Sequence, residues 1–151
     1  MVRTRLADSL KVAMKARDER AVSALRMILA GLKDKDIAAR AKGVTTGIPE
    51  DEILQMMQNM VRQRRESITM YQQGGRQELA DKEAAEITLI ESFLPQQLSE
   101  QELGDVATAM IKELGAASIK DMGRVMAALK ERYTGRLDFA KAGAVVKGKL
   151  S

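Results

Sequence analysis

The sequence predicts an all-α protein made of two helical domains. Residues with high helix propensity dominate the 151 positions, and there are only two Pro and no Trp. Apolar residues recur at steps of three and four, and no segment shows the two-residue alternation of a strand. Pro95 interrupts this pattern, because proline lacks an amide hydrogen and displaces the preceding residue from the helical region. We therefore predict an amino-terminal domain over residues 1–95 and a carboxy-terminal domain over residues 96–151.

The amino-terminal domain is predicted to contain four helices. A charged run at residues 17–20 separates the first apolar stripe from the second, and a loop follows over residues 43–48. Pro49 suits the first turn of the third helix, and Gly74-Gly75 ends that helix. The fourth helix occupies about residues 76–92. The first two stripes consist of Leu6, Leu10, Ala13 and Met14 and of Val22, Leu25, Leu29 and Leu32.

The carboxy-terminal domain is predicted to contain three shorter helices that bury only a small core. Each start has a side chain that can accept hydrogen bonds from the free amides of a first helical turn. These starts are marked by Ser99 with Glu102, by Ser118 with Asp121, and by Asp138. Gly115 and Gly135 follow the apolar residues of the first two helices and are predicted to end them.

The chain contains neither Cys nor His, which removes several classes of chemistry. Thiol nucleophiles, imidazole bases, Ser-His-Asp triads and the usual zinc ligand sets all need one of these side chains. Acidic pairs such as Glu83 and Glu86 are common on surface helices and do not by themselves predict acid–base catalysis. We therefore expect no catalytic residue, no metal and no cofactor.

No segment predicts secretion or insertion into a membrane. Uncharged runs do not exceed nine residues, whereas a membrane span needs about 20. Asp8 and Lys11 interrupt the amino-terminal region before an apolar signal segment can form. We therefore expect a cytoplasmic protein without a membrane partner.

Positive charge is concentrated near the carboxyl end. From Gly115 onward, Lys and Arg exceed Asp and Glu by five. Such a surface favours a polyanion such as tRNA through phosphate contacts and counterion release, although an ordinary solvated basic surface is the alternative. Only Tyr133 and Phe139 offer aromatic rings there, so recognition of shape and backbone is predicted rather than base stacking. The predicted contacts are Lys120, Arg124, Lys130, Arg136, Lys141 and Lys147, with Arg62 and Arg65 of the amino-terminal domain.

Arg64 occupies a position in the third helix where an apolar residue is expected. The stripe of that helix consists of Leu54, Met57, Val61, Ile68 and Tyr71. A guanidinium in such a stripe needs a partner, because an unpaired buried charge is very unfavourable. We predict a structural ion pair of Arg64 with Glu83 or Glu86 on the following helix. A phosphate clamp formed with Arg62 and Arg65 is the alternative.

Short motifs along nearly the whole chain resemble the YqeY family. They include Ala13–Asp18, Ser23–Arg26, Gln63–Ile68, Leu94–Ser99 and Lys120–Gly123. Members of this family are similar to the tail of the GatB subunit of the tRNA-dependent amidotransferase. The resemblance implies an all-α fold, a carboxy-terminal module like the GatB tail, and a role in holding tRNA.

The resemblance also implies a family label of carbon–nitrogen ligase activity with glutamine as the amide donor. We do not extend that activity to this chain, because its 151 residues contain no counterpart of the kinase-like and amidase parts that perform the chemistry. One motif departs from the family. Where many relatives have Gly-Arg-Ala-Asp-Gly-Lys, residues 135–140 read Gly-Arg-Leu-Asp-Phe-Ala, and the usual Lys is missing.

Two functions from different classes remain open. The first is a non-catalytic accessory protein that binds tRNA or another folded RNA. The second is a protein-interaction or chaperone-like adaptor without RNA affinity, which presents a Met-rich helical face. Clustering of the basic residues on one face would favour RNA, and their dispersal would favour the adaptor. The methionines concerned, otherwise predicted to fill the core, are Met56, Met57, Met60 and Met70.

Overall fold

The computed structural model describes all 151 residues, and it is entirely helical. Seven α-helices and one 3-10 turn are present and no strand, which confirms the all-α prediction. None of the helices is both long and apolar enough to cross a membrane. The elements are α1 (Val2–Lys15), α2 (Glu19–Arg40), α3 (Glu50–Gln73), α4 (Gln77–Glu91), α5 (Glu100–Leu114), the 3-10 turn (Ile119–Asp121), α6 (Met122–Arg132) and α7 (Phe139–Leu150).

The chain divides into two compact units. Unit 1 comprises Met1–Leu94 and contains α1 to α4, and unit 2 comprises Pro95–Ser151 and contains α5 to α7. The helical path is interrupted between Glu91, where α4 ends, and Glu100, where α5 begins. That each unit folds as an independent domain stays a prediction.

The core of unit 1 is formed by one face of each of its helices. Leu6 of α1, Leu25 and Ile28 of α2, Met57 of α3 and Ile90 of α4 are almost completely buried. Burial of a side chain of this size stabilises a protein by roughly 1.5–3 kcal/mol. These side chains therefore contribute strongly to holding the four helices together.

Two methionines that the sequence assigns to the core are exposed instead. Met14 has 50% and Met70 has 72% of its surface in solvent. In α1 the buried face passes through Leu6 and Ala13, and Met14 lies about 100° around the helix from Ala13. In α3, Met70 lies off the apolar stripe, about 160° around the helix from Ile68, which packs against the core.

The loop between α2 and α3 is fastened to α1 by a charged cluster. The guanidinium of Arg3 donates to both carboxylate oxygens of Asp36, at 2.7 and 3.1 Å, and to the carbonyl of Ile48 at 3.2 Å. The amide of Ile48 donates to Asp36 at 2.8 Å. Gly47 has a φ of +90°, and a Cβ there would come within 2.7 Å of the Arg3 guanidinium. Glycine is therefore needed at position 47 both for its backbone conformation and for space.

The turn between α1 and α2 contains a non-glycine residue in the left-handed region. Arg17 has a φ of 55°, a conformation that strains an L residue by about 1–2 kcal/mol. Asp18 then caps α2, accepting a hydrogen bond from the amide of Ala21 at 3.2 Å. Arg17 and Asp18 are both exposed, so the strain lies at the surface of unit 1.

Unit 2 has its own core between α5, α6 and α7. Ala107, Val125, Leu129, Ala142 and Val146 are completely buried there. The first of its helices begins as the sequence predicts, because Ser99 and Glu102 form a reciprocal capping box. It ends at Gly115, whose φ of 63° suits glycine.

The residues before α5 are held by the loop before α7. The amide of Leu98 donates to the carbonyl of Arg136 at 2.8 Å. Arg136 Nε in turn donates to the carbonyl of Gln96 at 3.0 Å, across 40 residues of sequence. The side-chain amide of Gln97 donates to the carbonyl of Gly135. The segment that looks like a linker in the sequence is therefore part of the fold of unit 2.

Replacing Gln97 with Ala is expected to speed the unfolding of unit 2 and to leave its folding rate nearly unchanged. The contact with Gly135 joins positions 38 residues apart, and such distant contacts form late because closing a long loop loses chain entropy. Stopped-flow unfolding and refolding of the full chain measures both rates. Slower folding with unchanged unfolding would show that the contact forms early.

Candidate nucleic-acid interface

The start of α6 holds two of the predicted RNA contacts. Asp121 accepts hydrogen bonds from the amides of Ala117 and Ser118, at 2.9 and 3.3 Å, and from Arg124 Nη2 at 3.1 Å. The Ala117 amide is the main cause of the lowered pKa of Asp121, followed by the Ser118 amide. Arg124 thus shares its charge with a carboxylate, whereas Lys120 is exposed and forms no ion pair.

Two further predicted contacts are engaged by aromatic rings of unit 2. Lys130 Nζ lies 5.6 Å from the ring centre of Phe139. The Arg136 guanidinium lies 6.0 Å from the ring centre of Tyr133, and it also binds the Gln96 carbonyl. Both are cation–π contacts, so these rings already face cations and offer little to a nucleic-acid base.

The helix α7 carries the last two predicted contacts of unit 2. Asp138 caps this helix and accepts hydrogen bonds from the amides of Ala140 and Lys141, at 2.8 and 3.3 Å. The side chains of Lys141 and Lys147 are exposed and form no ion pair. Together with Lys120, they are the predicted contacts of unit 2 that keep an unshared charge.

These cations do not form one line along either helix. Arg124 and Lys130 are six residues apart on α6, as are Lys141 and Lys147 on α7. At 3.6 residues per turn, each pair projects in directions roughly 120° apart. Within each helix, the two cations therefore lie on different sides.

In unit 1, the predicted contacts Arg62 and Arg65 bind different partners. Arg62 Nη2 donates to Asn59 Oδ1 at 3.2 Å, within the same helix. Arg65 Nη2 donates to Glu91 Oε1 of α4 at 2.7 Å. The two guanidinium groups therefore serve separate contacts of unit 1 in this structure.

Arg64 lies inside unit 1, with 9% of its surface exposed. Its Nε is 3.0 Å from Oε2 of Glu86 and 3.7 Å from Oε2 of Glu83. Its Nη2 is also 3.0 Å from the sulfur of Met27. The carboxylates of Glu83 and Glu86, both predicted from the sequence as partners, thus lie close to this guanidinium. That these ion pairs stabilise the fold stays a prediction.

Arg132, another cation of unit 2, forms an ion pair that the sequence did not indicate. Arg132 donates to both carboxylate oxygens of Glu113, at 2.7 and 2.6 Å. This contact lowers the pKa of Glu113. The two residues are 19 positions apart on different helices, so no local spacing links them.

No group of three or more His, Cys, Asp or Glu side chains is arranged to hold a metal ion.

The molecule is thus a helical protein of two units whose second unit carries exposed, unpaired lysines. Its residues 3–150 match the family described as Yqey-like protein. The chain belongs to the YqeY family.

Three curated relatives share about a third of the matched positions. Altered inheritance of mitochondria protein 41, mitochondrial, of Eremothecium gossypii is 34% identical over 111 residues, which is 72% of this chain and 58% of that protein. The protein of the same name in Lachancea thermotolerans is 30% identical over 72% of this chain and 57% of its own length. The protein of the same name in Saccharomyces cerevisiae strain YJM789 is 31% identical over 76% of this chain and 60% of its own length. The chain therefore spans less than two thirds of the length of these relatives.

These relatives overturn the expectation of a cytoplasmic protein. Their names place them in mitochondria, and the expectation is wrong on that comparison. It rested on the lack of a secretory signal and of a membrane span. Neither feature distinguishes the cytoplasm from the interior of a mitochondrion.

Proposed function

We propose that unit 2 binds folded RNA, with tRNA as the favoured class, through contacts to phosphates. The observation that carries the proposal is that three of the predicted contacts, Lys120, Lys141 and Lys147, are exposed lysines with no ion-pair or ring partner, in a region with an excess of five positive charges. A lysine without a partner can bind a phosphate without first losing an internal contact. Release of counterions from the RNA then favours association.

The other predicted contacts are proposed to contribute less to the free energy of RNA binding. Arg124, Lys130 and Arg136 each have a partner within unit 2. Arg62 and Arg65 are held by side chains of unit 1. A phosphate would have to compete with these contacts, which lowers the net gain from binding.

The proposed role is accessory rather than catalytic. The chain has neither Cys nor His to serve as a nucleophile or as a base near neutral pH. The preference for tRNA is supported by the resemblance to the GatB tail. Any amide transfer would then be performed by another protein while this chain holds the RNA.

Changing Lys120, Lys141 and Lys147 together to Gln is expected to remove most of the RNA affinity of the full chain. Three phosphate contacts predict a log–log salt slope of roughly −2 to −3 on duplex RNA, because each contributes about −0.9. The slope should approach zero in the triple variant. Fluorescence anisotropy with labelled tRNA, and with an unrelated RNA hairpin, measures affinity and slope between about 50 and 200 mM salt.

Three lysines of unit 1 provide a matched control. Lys11, Lys15 and Lys33 are also exposed and form no ion pair, so changing them to Gln alters the net charge equally. This control should keep most of the affinity. Equal losses in the two triple variants would show that overall charge attracts the RNA, and no tRNA affinity at low salt would contradict the proposal.

A protein-interaction adaptor is the second candidate function. A cavity of about 470 Å³ between α2 and α3, lined by Met56, Met60 and Gly31 among others, favours it. Flexible thioether side chains adapt to differently shaped partners. The RNA measurement separates the two candidates, because the adaptor is expected to have no RNA affinity.

A further inference from the structure

A groove of about 710 Å³ lies between the first turns of α2 and the last turns of α4. Its apolar lining consists of Ala21 and Ala24 from α2 and of Ala85 and Leu89 from α4. Small side chains at facing positions of two helices leave space that larger ones would fill. The groove is thus a direct result of alanines at these positions.

The groove continues into a second cavity of about 360 Å³ over the start of α2. Glu19 and Ser23 line both cavities, and Val22 extends the apolar surface into the second one. Along α4 and the residue that follows it, the lining runs from Lys82 to Ser92, a length of about 15 Å at 1.5 Å per residue. This length matches about three turns of a partner helix.

The rim of the groove carries an excess of unpaired positive charge. Of its three carboxylates, Glu86 is paired with Arg64, whereas Asp18, which caps α2, and Glu19 keep an unpaired negative charge. Four cations therefore face two carboxylates. The cations, which are exposed and form no ion pair, are Arg17, Arg20, Arg26 and Lys82.

We propose that this groove binds an acidic amphipathic helix of a partner protein. Its alanine and leucine lining suits apolar side chains spaced at i, i+3, i+4 and i+7, and its rim complements Asp and Glu beside them. RNA fits less well, because alanine and leucine side chains line the groove between the cations and offer no hydrogen bond to a phosphate. The proposal concerns unit 1 and is independent of RNA binding by unit 2.

Arg17 allows a test that separates peptide binding from stability. The backbone of Arg17 is in the left-handed conformation, which glycine would adopt without strain. The side chain of Arg17 lines the second cavity. The conformation itself ends α1, because the amide of Asp18 donates to the carbonyl of Ala13 at 3.0 Å. Arg17→Gly is therefore expected to raise the melting temperature by about 2–4 °C while it weakens peptide binding, a combination that a purely structural role does not produce.

A displayed library of helical peptides of about 16 residues, selected on the full chain, tests the proposal. Selected peptides should carry apolar residues at i, i+3, i+4 and i+7 with Asp or Glu beside them. Fluorescence anisotropy should show about tenfold weaker binding of a selected peptide when Arg17→Gly is combined with Lys82→Gln. Ala85→Gln, which places a long polar side chain in the groove, should weaken binding at least as much.

Two control variants alter the same helices outside the groove. Ala84→Gln changes the neighbouring exposed alanine of α4, and Lys33→Gln removes an exposed cation of α2. Neither residue lines either cavity, so both variants should keep full affinity.

Several outcomes would overturn the proposal. They are the selection of no peptide, selection of peptides without acidic residues, and equal binding to the Ala85→Gln variant. Loss of tRNA affinity in the Arg17→Gly, Lys82→Gln variant would instead make the groove an RNA surface. Self-association of the chain that Ala85→Gln abolishes would make the occupant a second copy. Apart from the loss of tRNA affinity, these results do not bear on the lysines of unit 2, which the lysine-to-Gln variants test separately.

Discussion

Replacing Arg64 with Asp is expected to lower the free energy of unfolding by roughly 3–5 kcal/mol. The guanidinium of Arg64 lies 3.0 Å from Glu86 and 3.7 Å from Glu83 in a site that is largely buried. In the variant, three carboxylates would meet there without a cation. Urea unfolding followed by circular dichroism measures the loss.

Replacing Arg64 with Leu is expected to lower the free energy of unfolding by only about 1–2 kcal/mol. Leucine fits the apolar stripe, and the side chains of Glu83 and Glu86 are 23% and 18% exposed, so they can turn toward water. Adding Glu86→Leu should restore stability, because apolar pairs often replace buried ion pairs without loss. Equal stability of the Asp and Leu variants would show that the charge at position 64 does not matter to the fold.

Replacing Asp36 with Asn is expected to lower the free energy of unfolding by roughly 2–3 kcal/mol at neutral pH. The carboxylate of Asp36 accepts hydrogen bonds from Arg3 and from the amide of Ile48, which together hold the loop before α3. An amide side chain cannot accept both contacts of Arg3 and carries no charge. Asp34→Asn is the control, because Asp34 is exposed on the same helix and forms no ion pair.

The contribution of Asp36 is expected to depend on pH. Arg3 is the main cause of its lowered pKa, followed by the Ile48 amide, relative to an ordinary value of 3.8. Because the folded-state pKa is the lower one, the stabilisation is complete above pH 3.8 and is lost as the pH falls through the folded-state pKa. The stability difference between wild type and Asp36→Asn should therefore be constant from about pH 5 to 8 and shrink below about pH 4. A difference that persists undiminished at about pH 2 would contradict this assignment.

Features set by neighbouring residues could be predicted from the sequence, and features set by distant contacts could not. The cap formed by Ser99 and Glu102 involves residues three positions apart, so its pattern is visible in the sequence. Periodicity places Arg64 in an apolar stripe, whereas Met70 lies off that stripe, so its apolar side chain alone does not place it in the core. The pairing of Arg132 with Glu113 depends on how α5 and α6 pack.

The candidate sites illustrate the same limit. The excess of basic residues near the carboxyl end is visible in the sequence, yet only the structure shows which of their charges are shared with partners. The groove of unit 1 combines Ala21 and Ala24 with Ala85, about 60 residues further along the chain. Alanine is common in helices everywhere, so its presence at these positions indicates no groove until the two helices are placed side by side.

The contact of Gln96–Leu98 with the loop before α7 has a consequence during protein synthesis. Its two sides are up to 40 residues apart, and the loop at Gly135 and Arg136 is made after α5 and α6. The first residues of unit 2 to leave the ribosome therefore have no native partner until almost the whole unit has been synthesised. In this unit, the residues that are made first bind a loop that is made only after α6.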